Sequence, residues 1–178
     1  MLYGDRIYLA ALDPANAEQA RSWLNDPAVN RWLLTGHIPV TPGQEADFYT
    51  RVGASSASHV FEIHLRDDHR YIGNCGLEDV DTVHRHAELG IFVGEVAEHD
   101  RGLGRDAIRT LLRYGFDTLG LNSIEIRLVD GNDRAAHLYP SLGFKPAGIL
   151  REHLFLRGAW HDEIVLDMLA EEWRRPSA

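Results

Sequence analysis

The run His99-Asp100-Arg101-Gly102-Leu103-Gly104-Arg105-Asp106-Ala107 constrains this chain more than any other part of it. It sets two glycines at the entrance of an amphipathic helix, in which Ala107, Ile108, Leu111, Leu112, Phe116 and Leu119 recur at helical spacing until Gly120 ends it. Glycines let the backbone curl closely, and the first amides of a helix point outward without intrahelical partners. Those amides and the helix dipole favour a phosphate or pyrophosphate, and Arg101 and Arg105 flank the turn with positive charge. An ordinary helix start, with its glycines serving tight packing, is the plainer reading.

The segments before the turn narrow the choice. Val60 to Leu65 alternates apolar and polar residues, Asp67-Asp68 turns the chain into Tyr71–Val80, and a loop at Asp81–Arg85 leads to His86–Val93. Three strands joined by short turns predict an antiparallel meander. Gly102-x-Gly104-x-x-Ala107 also satisfies the relaxed dinucleotide fingerprint, with Asp130 after the following strand. That fingerprint follows directly from a strand, whereas eight residues separate Val93 from Gly102, and the 48 residues after Asp130 are too few to complete a doubly wound sheet. No Gly-Lys-Ser/Thr closes the turn, which excludes a Walker-type loop.

Elsewhere, Arg6 to Ala11 reads as a first strand, and Asp13-Pro14 starts a helix that runs to about Leu24 and is broken by Asn25-Asp26-Pro27. A short helix to Leu34 follows, then a helix start at Thr41-Pro42 with Phe48 and Val52 on one face. Ser123–Val129 is a strand, Asn132 to Leu142 a helix closed by Gly143, and Leu150–Leu156 with Trp160–Met168 a final hairpin. This order predicts an α/β (α+β) fold, a mixed, largely antiparallel central sheet with helices on both faces, formed by residues 1–178 as one domain.

Composition removes several classes of function. A net charge of −9 makes the chain a poor partner for nucleic acid and suits a cationic acceptor, although a solubilising surface explains the charge as well. No run approaches about 18 apolar residues, and the first residues lack a secretory layout, so a cytoplasmic protein without a membrane span is expected. Cys75, the one cysteine, reads as a small core residue, and His84 with His86 lacks a third partner at metal-ligand spacing, so no metal is expected.

Ala87-Glu88-Leu89-Gly90-Ile91-Phe92-Val93-Gly94, the turn to Ala107 and the helix beyond resemble the acetyl-CoA-binding core of the GCN5-related N-acetyltransferase (GNAT) family. The run from Asn132 to Phe144 is similar to that family's second cofactor segment, and Leu150-Arg151-Glu152-His153 with Gly158-x-x-His161-Asp162 to its C-terminal hairpin. The pattern, including Asn25-Asp26-Pro27, is most like the branch of ribosomal-protein N-terminal acetyltransferases and spermidine acetyltransferases.

The resemblance implies a GNAT-like fold and direct transfer from acetyl-CoA to the primary amine of a small molecule or peptide. Phe92 and Val93 match the strand that binds the pantetheine arm, and the amides of Arg101, Gly102, Leu103, Gly104 and Arg105 match the pyrophosphate site. Asn132 matches a residue near the acetyl group and also reads as a helix N-cap. Tyr139 matches the general acid, a phenol of pKa about 10 set against a thiol of about 8.5. Glu88 stands where the branch often carries a glutamate that takes the amine proton or holds the acceptor, with Glu78 behind it. Trp32 and the loop at Gly36-His37 fall where relatives shape the acceptor pocket.

Three residues depart from the family pattern. His99 replaces Gln, Arg or an aromatic residue, Asp100 replaces a glycine and is expected to point outward, and Pro140 is expected to displace Tyr139 by disfavouring helix there. These departures keep alive the alternative of a catalytically silent acyl-CoA-binding domain. Homodimers are common in the branch, and no residue here specifies an interface.

Overall fold

The computed structural model describes residues 1–34 and 38–175. Two short strands, β1 (Leu2–Tyr3) and β2 (Ile7–Ala11), are followed by a single tight turn at Pro14–Asn16 and by α1 (Ala17–Leu24), α2 (Pro27–Asn30) and α3 (Pro42–Ala54). The meander β3 (His59–Leu65), β4 (Tyr71–Asp81) and β5 (His86–Val93) comes next, then α4 (Leu103–Arg113), β6 (Ser123–Val129) and α5 (Asp133–Leu142). The hairpin β7 (Lys145–Leu156) and β8 (Ala159–Leu169) and the short α6 (Ala170–Arg174) complete the order.

Local chemistry sets these boundaries. Asp13, Asp26 and Thr41 each accept a backbone N–H at a helix start, and each precedes a proline at the first helical position. Thr41 and Gln44 form a reciprocal capping box. The helix after the glycine turn does not run unchanged to Leu119. It widens over Tyr114–Thr118, where the Leu119 N–H reaches back five residues to the Tyr114 carbonyl at 3.0 Å.

The sheet order is β1-β2-β3-β4-β5-β6-β8-β7, antiparallel throughout except for the β5–β6 pair. Directly opposed residues share a face, so the register defines two surfaces. One carries Ile63, Cys75, Leu77, Leu89, Ile124, Ile126, Leu166 and Met168, all buried, beneath the α4 stripe Leu103, Ala107, Ile108, Leu111 and Leu112. Each such side chain removed from water contributes about 1.5–3 kcal/mol, which makes this layer the main stabilising element. Tyr139 and Ala135 attach α5 to the same layer.

The opposite surface has a different character. Ala20 and Trp23 of α1 with Val29 of α2 pack over Tyr71 and Phe92, while Glu62, Asn74, Gly76, Glu78, Glu88, Gly90, Glu125 and Arg127 populate the sheet beside them. Trp23 lies so close to Gly94 that a Cβ there would sit 2.0 Å from its Cδ2 atom. The Asp106 carboxylate of α4 accepts the N–H groups of Asp5, Arg6 and Ile7 at 3.0, 2.7 and 3.2 Å, which fastens the first strands to the glycine-turn helix.

Candidate active site

The parallel pair β5–β6 holds together over three residue pairs only, His86–Ser123, Ala87–Ile124 and Glu88–Glu125. β5 continues beside β4 as far as Val93 and β6 continues beside β8 as far as Val129, so the two strands diverge beyond Glu88. A cleft of about 710 Å³ occupies the opening. Phe92, Val93, His99, Gly104, Asn132 and Tyr139 line one end, and Trp32, Glu45, Phe48, Glu78, Glu88 and Arg127 the other. Gly36 and His37, assigned from the sequence to the acceptor pocket, lie outside the described residues.

At the first end, Gly102 adopts φ +79° and turns the chain into α4. The first backbone bond of this turn is donated by Asp106 to the Gly102 carbonyl at 3.1 Å, and the N–H groups of Arg101, Gly102, Leu103, Gly104 and Arg105 have no partner among the described residues. Five free donors at the positive end of a helix dipole favour a negatively charged group. A Cβ on Gly104 would touch only the Val93 side chain, at 3.9 Å, so the approach to these amides is open.

The two arginines expected to flank the turn with positive charge are engaged by neighbouring groups. The Arg101 guanidinium pairs with buried Glu98, which Arg70 also binds at 2.8 Å, and Arg105 bonds the Ser141 hydroxyl at 2.6 Å. Asp100 points outward and pairs with Arg134 at 3.3 Å. His99, through Nε2, donates to the Val93 carbonyl at 2.8 Å and so ties the turn to the end of β5.

Asn132 caps α5 by accepting the Ala135 N–H at 3.2 Å while also lining the cleft. Pro140 does not displace Tyr139: α5 stays helical through both residues to Leu142, and the Gly143 N–H closes on the Pro140 carbonyl at 3.0 Å. The proline sits in the last turn, where the loss of one N–H is tolerated. Tyr139 is 9% exposed, and its hydroxyl makes no hydrogen bond among the described residues. Burial pushes its pKa up to about 12, against a smaller opposing pull from Arg134. The phenol is therefore protonated at neutral pH. Burial also raises the Cys75 thiol, which makes it a poor nucleophile.

At the other end, Glu78, Glu88 and Glu125 oppose one another across three strands. Arg127, two residues along from Glu125, meets Glu88 at 3.1 Å, Glu125 at 2.8 Å and Glu163 at 3.3 Å. Burial raises the Glu88 pKa, and Arg127 partly offsets this. Gly90 leaves open space above the floor between Glu88 and Phe92. Arg127, Asn74 and Glu45 were missed from the sequence. Strand alternation puts Arg127 on the Glu125 face, but only the sheet register brings it to Glu88.

A parallel strand pair that splays apart, a helix start with free amides and a buried phenol thus open on one cleft. The family model described as an acetyltransferase (GNAT) domain matches residues 6–145. Among curated relatives, the uncharacterized N-acetyltransferase p20 of Bacillus licheniformis is 25% identical over 97% of both chains. The putative ribosomal N-acetyltransferase YdaF of Bacillus subtilis is 27% identical over 95% of this chain and 94% of its own. The spermidine N(1)-acetyltransferase of Vibrio cholerae is 35% identical over 51% of this chain and 52% of its own. A crystal structure of spermidine N-acetyltransferase from Vibrio cholerae with CoA and spermine superposes with a TM-score of 0.88 at 23% identity, covering 96% of this chain and 99% of that one. The chain belongs to the GNAT family and is an acyl-CoA-dependent N-acetyltransferase. Among the described residues, no helix is long and apolar enough to cross a membrane.

Proposed function

We propose that residues 1–178 act as one domain that moves an acetyl group from acetyl-CoA directly to the primary amine of a small cationic molecule or peptide. The observation that carries this reading is the cleft between β5 and β6, which joins the free amides of α4, the Tyr139 hydroxyl and the Glu78–Glu88 floor in one space. Phe92 and Val93 supply the strand edge for the pantetheine arm, the Arg101–Arg105 amides hold the pyrophosphate, and Asn132 borders the acetyl group.

In the transfer, the neutral amine nitrogen attacks the thioester carbon, the N–C bond forms and the C–S bond breaks. Tyr139 gives its proton to the departing sulfur, and the surplus proton on nitrogen passes to Glu88, directly or through water. The raised Glu88 pKa moves this carboxylate toward the range useful to a base, and Arg127 keeps it from being neutral throughout. The relatives that act on spermidine favour a small polyamine as acceptor, while the similarity to a putative ribosomal acetyltransferase keeps a peptide amine in the panel. A cytoplasmic location fits the lone buried thiol. The outer strand β7, with Ile149 and Phe155 exposed, is the edge along which a second copy would pair.

Steady-state kinetics of Tyr139→Phe and Glu88→Gln with an amine panel test the assignment. Tyr139→Phe should lower kcat by about 10²–10⁴-fold with acetyl-CoA affinity retained. Glu88→Gln should remove the acid limb of the kcat/KM profile, because the base is lost as pH falls through its raised value. Wild-type rates in both variants would overturn these roles.

A further inference from the structure

The acceptor end of the cleft contains a carboxylate for which the transfer itself has no use. Glu45 follows the capping box of α3 and shares a helix face with Phe48, Tyr49 and Val52. It is 4% exposed and forms part of the cleft wall. Among the described residues, its carboxylate accepts no hydrogen bond and forms no ion pair. Arg21, the cation that acts on it through space, commits its guanidinium to Glu18 at 2.6 Å and to the Val40 carbonyl at 3.3 Å. An acidic residue near a helix start ordinarily serves the dipole from an exposed position, as Glu18 does in α1. Glu45 is instead turned inward, where a carboxylate without a partner destabilises the folded chain.

The rest of this lobe fits the same need. Glu88 is tied to Arg127, whereas Glu78 on the floor has no ion pair among the described residues. Arg31 also borders the cleft, but it is exposed and its guanidinium lies over the Trp32 ring at 5.0 Å, away from any carboxylate pairing. The acceptor lobe thus holds one carboxylate, Glu88, already paired with Arg127 and a second, buried one on α3 that has no partner among the described residues.

We infer that Glu45 binds a second ammonium group of the acceptor, one that does not react, so that the enzyme takes diamines and polyamines in preference to monoamines. The inference rests on the amine-acceptor reading above and adds a specificity-determining residue to it. The distal cation supplies the partner that Glu45 lacks among the described residues, and a monoamine of equal length leaves the carboxylate buried without that partner.

The experiment compares wild type with Glu45→Gln, which keeps shape and removes charge, on α,ω-diamines and the n-alkylamines of matching length. In wild type, kcat/KM for a diamine of suitable length should exceed that of its monoamine partner by about tenfold or more. In Glu45→Gln the ratio should fall toward one, the Tm of the free protein should rise, and retained acetyl-CoA binding reports a folded protein. Calorimetry of diamine binding to the CoA complex runs alongside. A ratio unchanged in a folded Glu45→Gln, or no diamine preference in wild type, overturns the inference and leaves amine transfer standing. Diamine binding that depends on Glu45 without turnover of any amine does the reverse: it supports the cation site and removes the transfer reading.

Discussion

Replacing Gly104 by alanine should make the free protein more stable and its donor complex weaker. A methyl at Gly104 meets one neighbour, the Val93 Cγ2 atom, at 3.9 Å, which is an ordinary contact. In a helix, alanine is preferred to glycine by about 0.5–1 kcal/mol. For a chain of this length that corresponds to a Tm increase of about 1–4 °C. The same methyl projects among the five unpartnered amides and keeps a pyrophosphate from seating on them. Loss of one charge-assisted bond of about 1.5–3 kcal/mol weakens acetyl-CoA by roughly 10- to 150-fold. Gly102→Ala is the internal contrast, because its φ of +79° strains any side chain although nothing lies near. That variant should lose about 1–2 kcal/mol of stability. Thermal melts and calorimetry with acetyl-CoA read both effects. Unchanged affinity in Gly104→Ala would show that the α4 amides do not hold the donor, and a lower Tm would show that the turn is packed more tightly than its geometry indicates.

Gly94→Ala should be strongly destabilising, by about 1–3 kcal/mol in a melt, because the new methyl overlaps the Trp23 ring; an unchanged Tm would mean that Trp23 moves freely. Arg70 and Arg101 hold the Glu98 carboxyl below its ordinary range. Its folded pKa is lower than its unfolded one, so its stabilisation is complete above about pH 4.3 and is lost as pH falls through the folded value. Denaturant melts of wild type and Glu98→Gln should therefore differ at neutral pH and converge in acid, and parallel curves would refute the pairing. Cys75 should resist iodoacetamide in the native protein and react once the chain is denatured, as its buried, raised thiol requires.

Much of the architecture is legible in the sequence because short-range patterns decide it. The alternation in Val60–Leu65 and Ser123–Val129 reappears as β3 and β6, and the glycines at 102 and 104 mark the start of α4. The limits appear where long-range packing decides. β7 begins at Lys145, earlier than its pattern suggests, because it is an edge strand exposed along most of its length with two register irregularities. The helix around Pro140 survives because the proline falls in its last turn, where few backbone bonds remain to be lost. Glu45 shows the same limit at the site. Its place in the first turns of α3 reads as a surface position, and only the packing of α3 against α1 and its place on the cleft wall turn it inward.

The divergence of β5 from β6 has a consequence for the order of events. The turn proposed to receive the donor belongs to α4, on the apolar side of the sheet, whereas the lobe proposed for the acceptor is walled by α1, α2 and α3. On that assignment, donor and acceptor approach the one cleft from opposite faces of the sheet and meet in the gap between the strands. Neither has to leave for the other to enter, so initial-rate patterns should show random addition, and each product departs along the route by which its parent arrived.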